Sequence, residues 1–266
     1  MQLLLVVQYA AILALQLTPI NANPAPNAKV NALVSRAAGT RNDPHIVDMP
    51  CTDMEDVCEA DCIAILCHGK DPVMQKLAGT ADAKKKQKED NYRKSGAYFV
   101  PFDEPLDMQK KRGISVPSGL IPGAPVFNSA EETTYESTQQ GGTNCIIFPV
   151  PRDQQTLQGG NMQNQFGRVD EALRNIPDGQ FFKQRFSFLN SDTPHCLALQ
   201  QIPPDTSICH KEKKNKWGFD MKKFAFVMDQ AAKNPRTFTN LFGGYKRKRS
   251  DGTYEPIEEA QEVQDE

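Results

Sequence analysis

Apolar and polar positions along the chain change rhythm several times, and each change predicts an element. Residues 3–15, LLLVVQYAAILAL, form an apolar run of 13, shorter than the roughly 20 residues a bilayer span needs. The run gives way to small and polar residues with a cleavage point after Ala22. This predicts a signal peptide over 1–22, with a buried N-terminal helix as the alternative. A Pro-, Asn- and Ala-rich leader follows over 23–44. HIVDM at 45–49 has strand character. The next stretch reads as a short helix across four cysteines, capped by Thr52 or Asp53. Residues 71–94 continue as a polar helix, and 99–128, with five prolines, as a long structured loop.

Further on, TTYEST at 133–138 is β-prone, Gly141-Gly142 marks a turn, and CIIFPV at 145–150 has the unbroken apolar character of a buried strand. Gln158-Gly159-Gly160 predicts a break, and apolar positions 166, 169 and 173 predict an amphipathic helix over 163–175. After a turn at Pro177-Asp178-Gly179, FFKQRFSFL at 181–189 is the clearest strand of the chain. HCLALQQ then reads as a strand leading into a loop and a basic segment, and 221–234 as a helix. The tail, 245–266, is basic and then acidic, with seven acids after Ser250 and little to bury, and is expected to be disordered. It is anionic enough to compete with phosphate for basic surface. No internal repeat is visible.

Composition narrows the classes. Lys plus Arg number 31 against 33 Asp plus Glu, for a net charge of -2, so bulk charge does not hold this chain to nucleic acid. Hydrophobic residues make up 39% of the 266, too many for full disorder and enough for a sizeable core. Export would place the seven cysteines in an oxidising compartment, and the mature protein outside the cell. Cys51, Cys58, Cys62 and Cys67 cluster, whereas Cys145, Cys196 and Cys209 are scattered. The cluster lacks paired CxxC spacing, which favours disulfides over a zinc site. Cys58 and Cys62 share a helical face and could staple it to different partners. The odd count leaves at least one thiol free or paired outside the chain, and connectivity stays open.

Candidate chemistry is sparse. No GxSxG, HExxH, Walker or dinucleotide motif occurs. His45, His68, His195 and His210 lack ligand spacing and read as surface or loop histidines. Glu131-Glu132, just ahead of a Gly-Gly turn, could hold a divalent cation or activate water, or be ordinary surface acids. The basic runs Lys84, Lys85, Lys86, Lys88 and Lys213, Lys214, Lys216, beside Trp217, are either solvated faces or phosphate contacts.

The order AEETTYESTQQGG at 130–142, DQQTLQGG at 153–160 and NIPDGQF at 175–181, preceded by the cysteine cluster and NYRKSG at 91–96, resembles the secreted NucA/NucB deoxyribonuclease family in its fungal form. The resemblance spans roughly residues 46–189. It implies a single compact α/β (α+β) nuclease domain, disulfide-containing with a central antiparallel sheet, over 45–244. It also implies metal-dependent hydrolysis of DNA phosphodiester bonds without strong sequence preference, using Mg or Mn. Glu131 and Glu132 would take the family's Asp-Glu positions as catalytic and metal-binding residues. Gln140 and Gln154 stand where the family has glutamates, and Gln155 at its asparagine.

Glutamine carries no charge for a cation and abstracts no proton, so the resemblance also admits an inactive form that binds nucleic acid or a protein partner. Ala97 and Ala130 replace two cysteines of the family pattern, as expected when one disulfide is lost as a unit.

Overall fold

The computed structural model describes residues 39–167, 176–232, 234–242, 246–248 and 254–256. The signal and leader segments lie outside the described residues, as does most of the tail. Strand β1 (His45–Pro50) buries Val47 and Met49 on one face. It pairs in parallel with β5 (Phe181–Ser187), whose Phe182, Gln184 and Phe186 point inward while Lys183 and Arg185 point out. The short β2 (Val73–Gln75) pairs antiparallel on the other side of β5. A second sheet orders β3 (Ser129–Glu132), β4 (Ile147–Val150), β6 (Phe226–Met228) and β7 (Phe238–Asn240), all antiparallel. The expected antiparallel sheet is present as this second sheet, and the first sheet is mixed.

β4 is buried on both faces, which is why CIIFPV shows no alternation. Phe148 and Val150 face the main core, and Ile147 a smaller cluster with Phe102, Phe226 and Phe238. Helix α1 (Glu55–His68) runs through the main core. Most of its circumference is buried, including Asp56, Glu59 and Asp61. Three disulfides each have one end on it: Cys51–Cys58, Cys62–Cys196 and Cys67–Cys209. Cys145 is the free cysteine, and burial pushes its thiol up to about 12, which keeps it protonated and unreactive.

Several local expectations change. Met54, not Thr52 or Asp53, precedes α1, without a side-chain cap. Residues 71–94 divide into β2 and α2 (Ala81–Ser95), whose first turn is capped by Thr80 accepting from Ala83 N. The 99–128 loop contains the short helix α3 (Leu106–Arg112). TTYEST forms turns, because Thr133 and Thr138 spend their hydroxyls on the carbonyls of Ile146 and Tyr135. HCLALQQ is helical: α5 (Pro194–Leu199) has proline in its first turn, where the missing N–H costs nothing. Residues 221–228 form a 3₁₀ turn (Met221–Phe224) followed by β6.

The largest difference is α4 (Arg152–Gly167), which passes straight through Gly159-Gly160. A Cβ at either glycine would meet nothing within 4 Å. Side-chain bonds dock the helix instead. Gln154 joins Asp56, Gln155 joins β3, and Gln165 brackets the backbone of Asp48. The rest of the expected 163–175 helix falls on residues 168–175, outside the described ones. In the tail, Lys246–Lys248 (β8) and Tyr254–Pro256 (β9) pair antiparallel, so these six residues have regular structure where none was expected.

The turn that begins at Ala97 contacts β3, which carries Ala130. Just before it, Gly96 (φ +92°) ends α2, and a Cβ there would lie 2.5 Å from Phe238 Cε1. Gly96→Ala is expected to cost about 2–4 kcal/mol from left-handed strain plus overpacking. An unchanged urea midpoint would contradict this.

Candidate functional site

β3 ends against α1, α4 and the 133–138 turns, and the polar residues of these elements converge there. Glu131 has no exposed surface, and Glu132 is also buried. Gln158 of α4 donates one amide nitrogen to Glu131 Oε1 at 2.7 Å and to Asp61 Oδ2 of α1 at 3.4 Å. Asp61 Oδ2 also accepts from Gln184 Nε2 of β5 at 3.0 Å and from the Tyr135 hydroxyl at 3.2 Å. A cleft of about 530 Å³ opens over this network, lined among others by Glu131, Glu132, Gln158, Lys76 and Lys88.

Three oxygens of the cluster, Asp61 Oδ1, Glu131 Oε2 and Glu132 Oε1, are buried without a hydrogen-bond partner. Burial and the neighbouring Asp61 carboxylate hold the Glu131 proton well above the usual carboxylate range. Burial raises Asp61 to about 7 and Glu132 to about 8. Burial and the nearby acids also push the Tyr135 phenol upward.

The sign for stability follows. A carboxyl whose proton is held more tightly in the folded chain contributes most below its unfolded pKa, and the contribution is lost as pH rises through the folded value. Asp61, Glu131 and Glu132 all act this way. The melting temperature should therefore fall between about pH 4.5 and pH 8, reflecting a loss on the order of a few kcal/mol. Glu132→Gln should flatten the fall. A melting temperature that rises across this window would refute the assignment.

The other expected site residues lie elsewhere. The Gln140 side chain accepts from Gln75 N in β2. Gln154 exchanges two hydrogen bonds with Asp56, from Asp56 N and to its carboxylate. Neither glutamine lines the cleft. Trp217 is not an open stacking platform: its indole N–H donates to Asp56 at 3.1 Å and its ring packs on the main core. Lys216 faces Glu55 and Asp192, Lys84 pairs with Asp178, and Lys88 pairs with Glu136 at the cleft. Lys85, Lys86, Lys213 and Lys214 are exposed.

His195 is no surface histidine, being buried beside Glu59, to which Nδ1 and the backbone N–H both bind. Asp61, Tyr135, Gln158 and Gln184 are the residues that sequence reading missed. Gln184 carried a signal, as a polar residue at the inward position between Phe182 and Phe186.

Among the described residues no three His, Cys, Asp or Glu side chains converge as a metal-enclosing set. The donors present suit a hard cation held by one or two carboxylates and completed by water or phosphate oxygens, the usual manner of Mg²⁺. Glu131, which lines the cleft with an unpartnered oxygen, would hold it, with Asp61 behind it. Among the described residues no helix is long and apolar enough to cross a membrane. No family model, curated protein or solved structure matches this chain.

Proposed function

We propose that this chain is an exported, divalent-cation-dependent hydrolase of DNA phosphodiester bonds, acting in the cleft over β3. One observation carries the reading. Glu131, which lines the cleft, shares a single amide donor with the buried Asp61, and each keeps an oxygen without a partner. Two buried carboxylates in that arrangement are electrostatically incomplete, and a cation or a proton completes them.

Each residue then has a task. Glu131, braced by Asp61 and Gln158, would hold the cation. Glu132, raised to about 8 and lining the cleft, keeps its proton at neutral pH and gives it to the leaving oxygen. Lys76 and Lys88, paired at rest with Asp178 and Glu136, line the same cleft and would turn to phosphate charge there. The bound cation would supply positive charge at the phosphoryl oxygens and acidify water. The three disulfides are compatible with an oxidising compartment and support the exported part of the reading.

Purified protein should linearise and degrade plasmid with Mg²⁺ or Mn²⁺ and not with EDTA. Mn²⁺ should also raise the melting temperature more at pH 8 than at pH 5, where protons already occupy the acids. Intact plasmid together with no cation-dependent shift would overturn the proposal, leaving a binding protein on the same scaffold.

A further inference from the structure

A second cleft, of about 580 Å³, opens at the C-terminal end of α2. Arg93 and Lys94 from the last turn of α2, Arg112 from α3, and Arg236 just before β7 meet there around Phe99. Arg112 is already committed, gripping the Glu104 carboxylate and donating to the Arg236 carbonyl. Arg93 and Arg236 pair with no carboxylate among the described residues. Lys94 has Asp90, an exposed i,i+4 pair that exchanges readily. Asp90 is also the one acid lining this cleft, so it lacks the carboxylate pair of the first.

Aromatic rings complete the arrangement. The Arg93 guanidinium lies 3.9 Å from the Tyr98 ring centroid, and those of Arg112 and Arg236 lie 5.8 and 5.9 Å from that of Phe99. Val100, directly after Phe99, has φ +48°, a left-handed conformation that a β-branched residue adopts only when its surroundings impose it. The strain sits at the joint of two 3₁₀ turns, Ala97–Phe99 and Pro101–Asp103, that set Tyr98 and Phe99 beside the arginines.

Forked guanidiniums without acid partners match phosphate oxygens, and Phe99, half-buried against the smaller core cluster, lines the cleft with the rest of its ring, where a flat base could meet it. We propose that this cleft is a non-hydrolytic site for single-stranded nucleic acid, with Arg93, Lys94 and Arg236 on backbone phosphates and Phe99 against a base. The choice of nucleic acid rests on the proposed function; the site itself requires no hydrolysis. Helix α2 links the two clefts, since Lys88 lines the first and Lys94 the second. Their separation along the axis is about 9 Å at ~1.5 Å per residue, the rise of two or three nucleotides at roughly 3.4 Å each.

The test is fluorescence anisotropy with a labelled twelve-nucleotide thymidine strand in EDTA, at 50 and 200 mM salt. Arg93 and Lys94 are exposed, so R93A/K94A should melt like the parent. It should bind at least about tenfold more weakly at low salt, with a log–log salt slope shallower by about 1.4 for two lost phosphate contacts. Phe99→Ala should weaken binding about fivefold with the slope unchanged. A parent that does not bind the strand, or R93A/K94A within twofold of the parent at the same slope, would overturn the site. Uncut plasmid with this binding pattern intact would remove the hydrolase reading and leave the second cleft standing.

Discussion

Glu131→Gln is expected to lower metal-dependent plasmid cleavage by about 10²–10⁴-fold while leaving the protein folded. Glutamine keeps the side-chain shape, so Gln158 retains an oxygen to donate to. The new amide nitrogen replaces the unpartnered Oε2 and carries no charge for a cation. It also removes the repulsion between Glu131 and Asp61, so the melting temperature at pH 8 should rise rather than fall. Loss of cleavage without loss of stability separates the chemical role from a structural one. Glu131→Ala would confuse the two, since it opens a cavity and removes the nearest acceptor of the Gln158 amide. Gln140→Glu and Gln154→Glu provide the contrasting control. Both side chains are held outside the cleft, so a glutamate at either position should not speed cleavage. A large gain from either would place the working site elsewhere.

Removing both cysteines of a long-range bridge should be the most destabilising change of comparable size. Cys62–Cys196 and Cys67–Cys209 join residues 134 and 142 positions apart, whereas Cys51–Cys58 spans seven. Loop-closure entropy assigns about 5 kcal/mol to each long bridge and about 2 kcal/mol to the short one. For a chain of this size that corresponds to a fall of roughly 10–20 °C against 4–8 °C. Calorimetry on the C62S/C196S, C67S/C209S and C51S/C58S variants would measure the order. A short-bridge variant melting lowest would contradict it. The same series tests the candidate site, because Asp61 lies directly before Cys62 on α1. Loosening that helix should cost cleavage as well as stability.

Much of the framework was legible in the sequence because burial leaves a periodic trace. β5 alternates visibly, β4 is apolar without interruption, and the cysteine cluster marks α1. What was hidden depended on partners distant in the chain. α4 overrides its two glycines through glutamine contacts to Asp48, Asp56 and β3, and local propensity cannot register those. α5 looked strand-like because its apolar residues are dense, while proline at its start was the better guide. Of the site, the adjacent pair Glu131-Glu132 was visible. Asp61 was not, since an acid in a helix beginning with acids reads as surface. Only the docking of α1 against β3, β5 and α4 gives it Tyr135, Gln158 and Gln184 as neighbours.

Gly159-Gly160, midway along α4, has a meaning beyond its effect on secondary structure. Each glycine lowers the helix's intrinsic stability by about 1 kcal/mol relative to alanine, and no atom of the described chain stands where a methyl group would go. Intramolecular crowding therefore does not explain the choice. Gly159 borders the cleft beside Gln158, so the helix presents bare main chain to whatever enters. A methyl group at either position would meet no neighbour, so Gly159→Ala and Gly160→Ala should each stabilise the helix by about 1 kcal/mol.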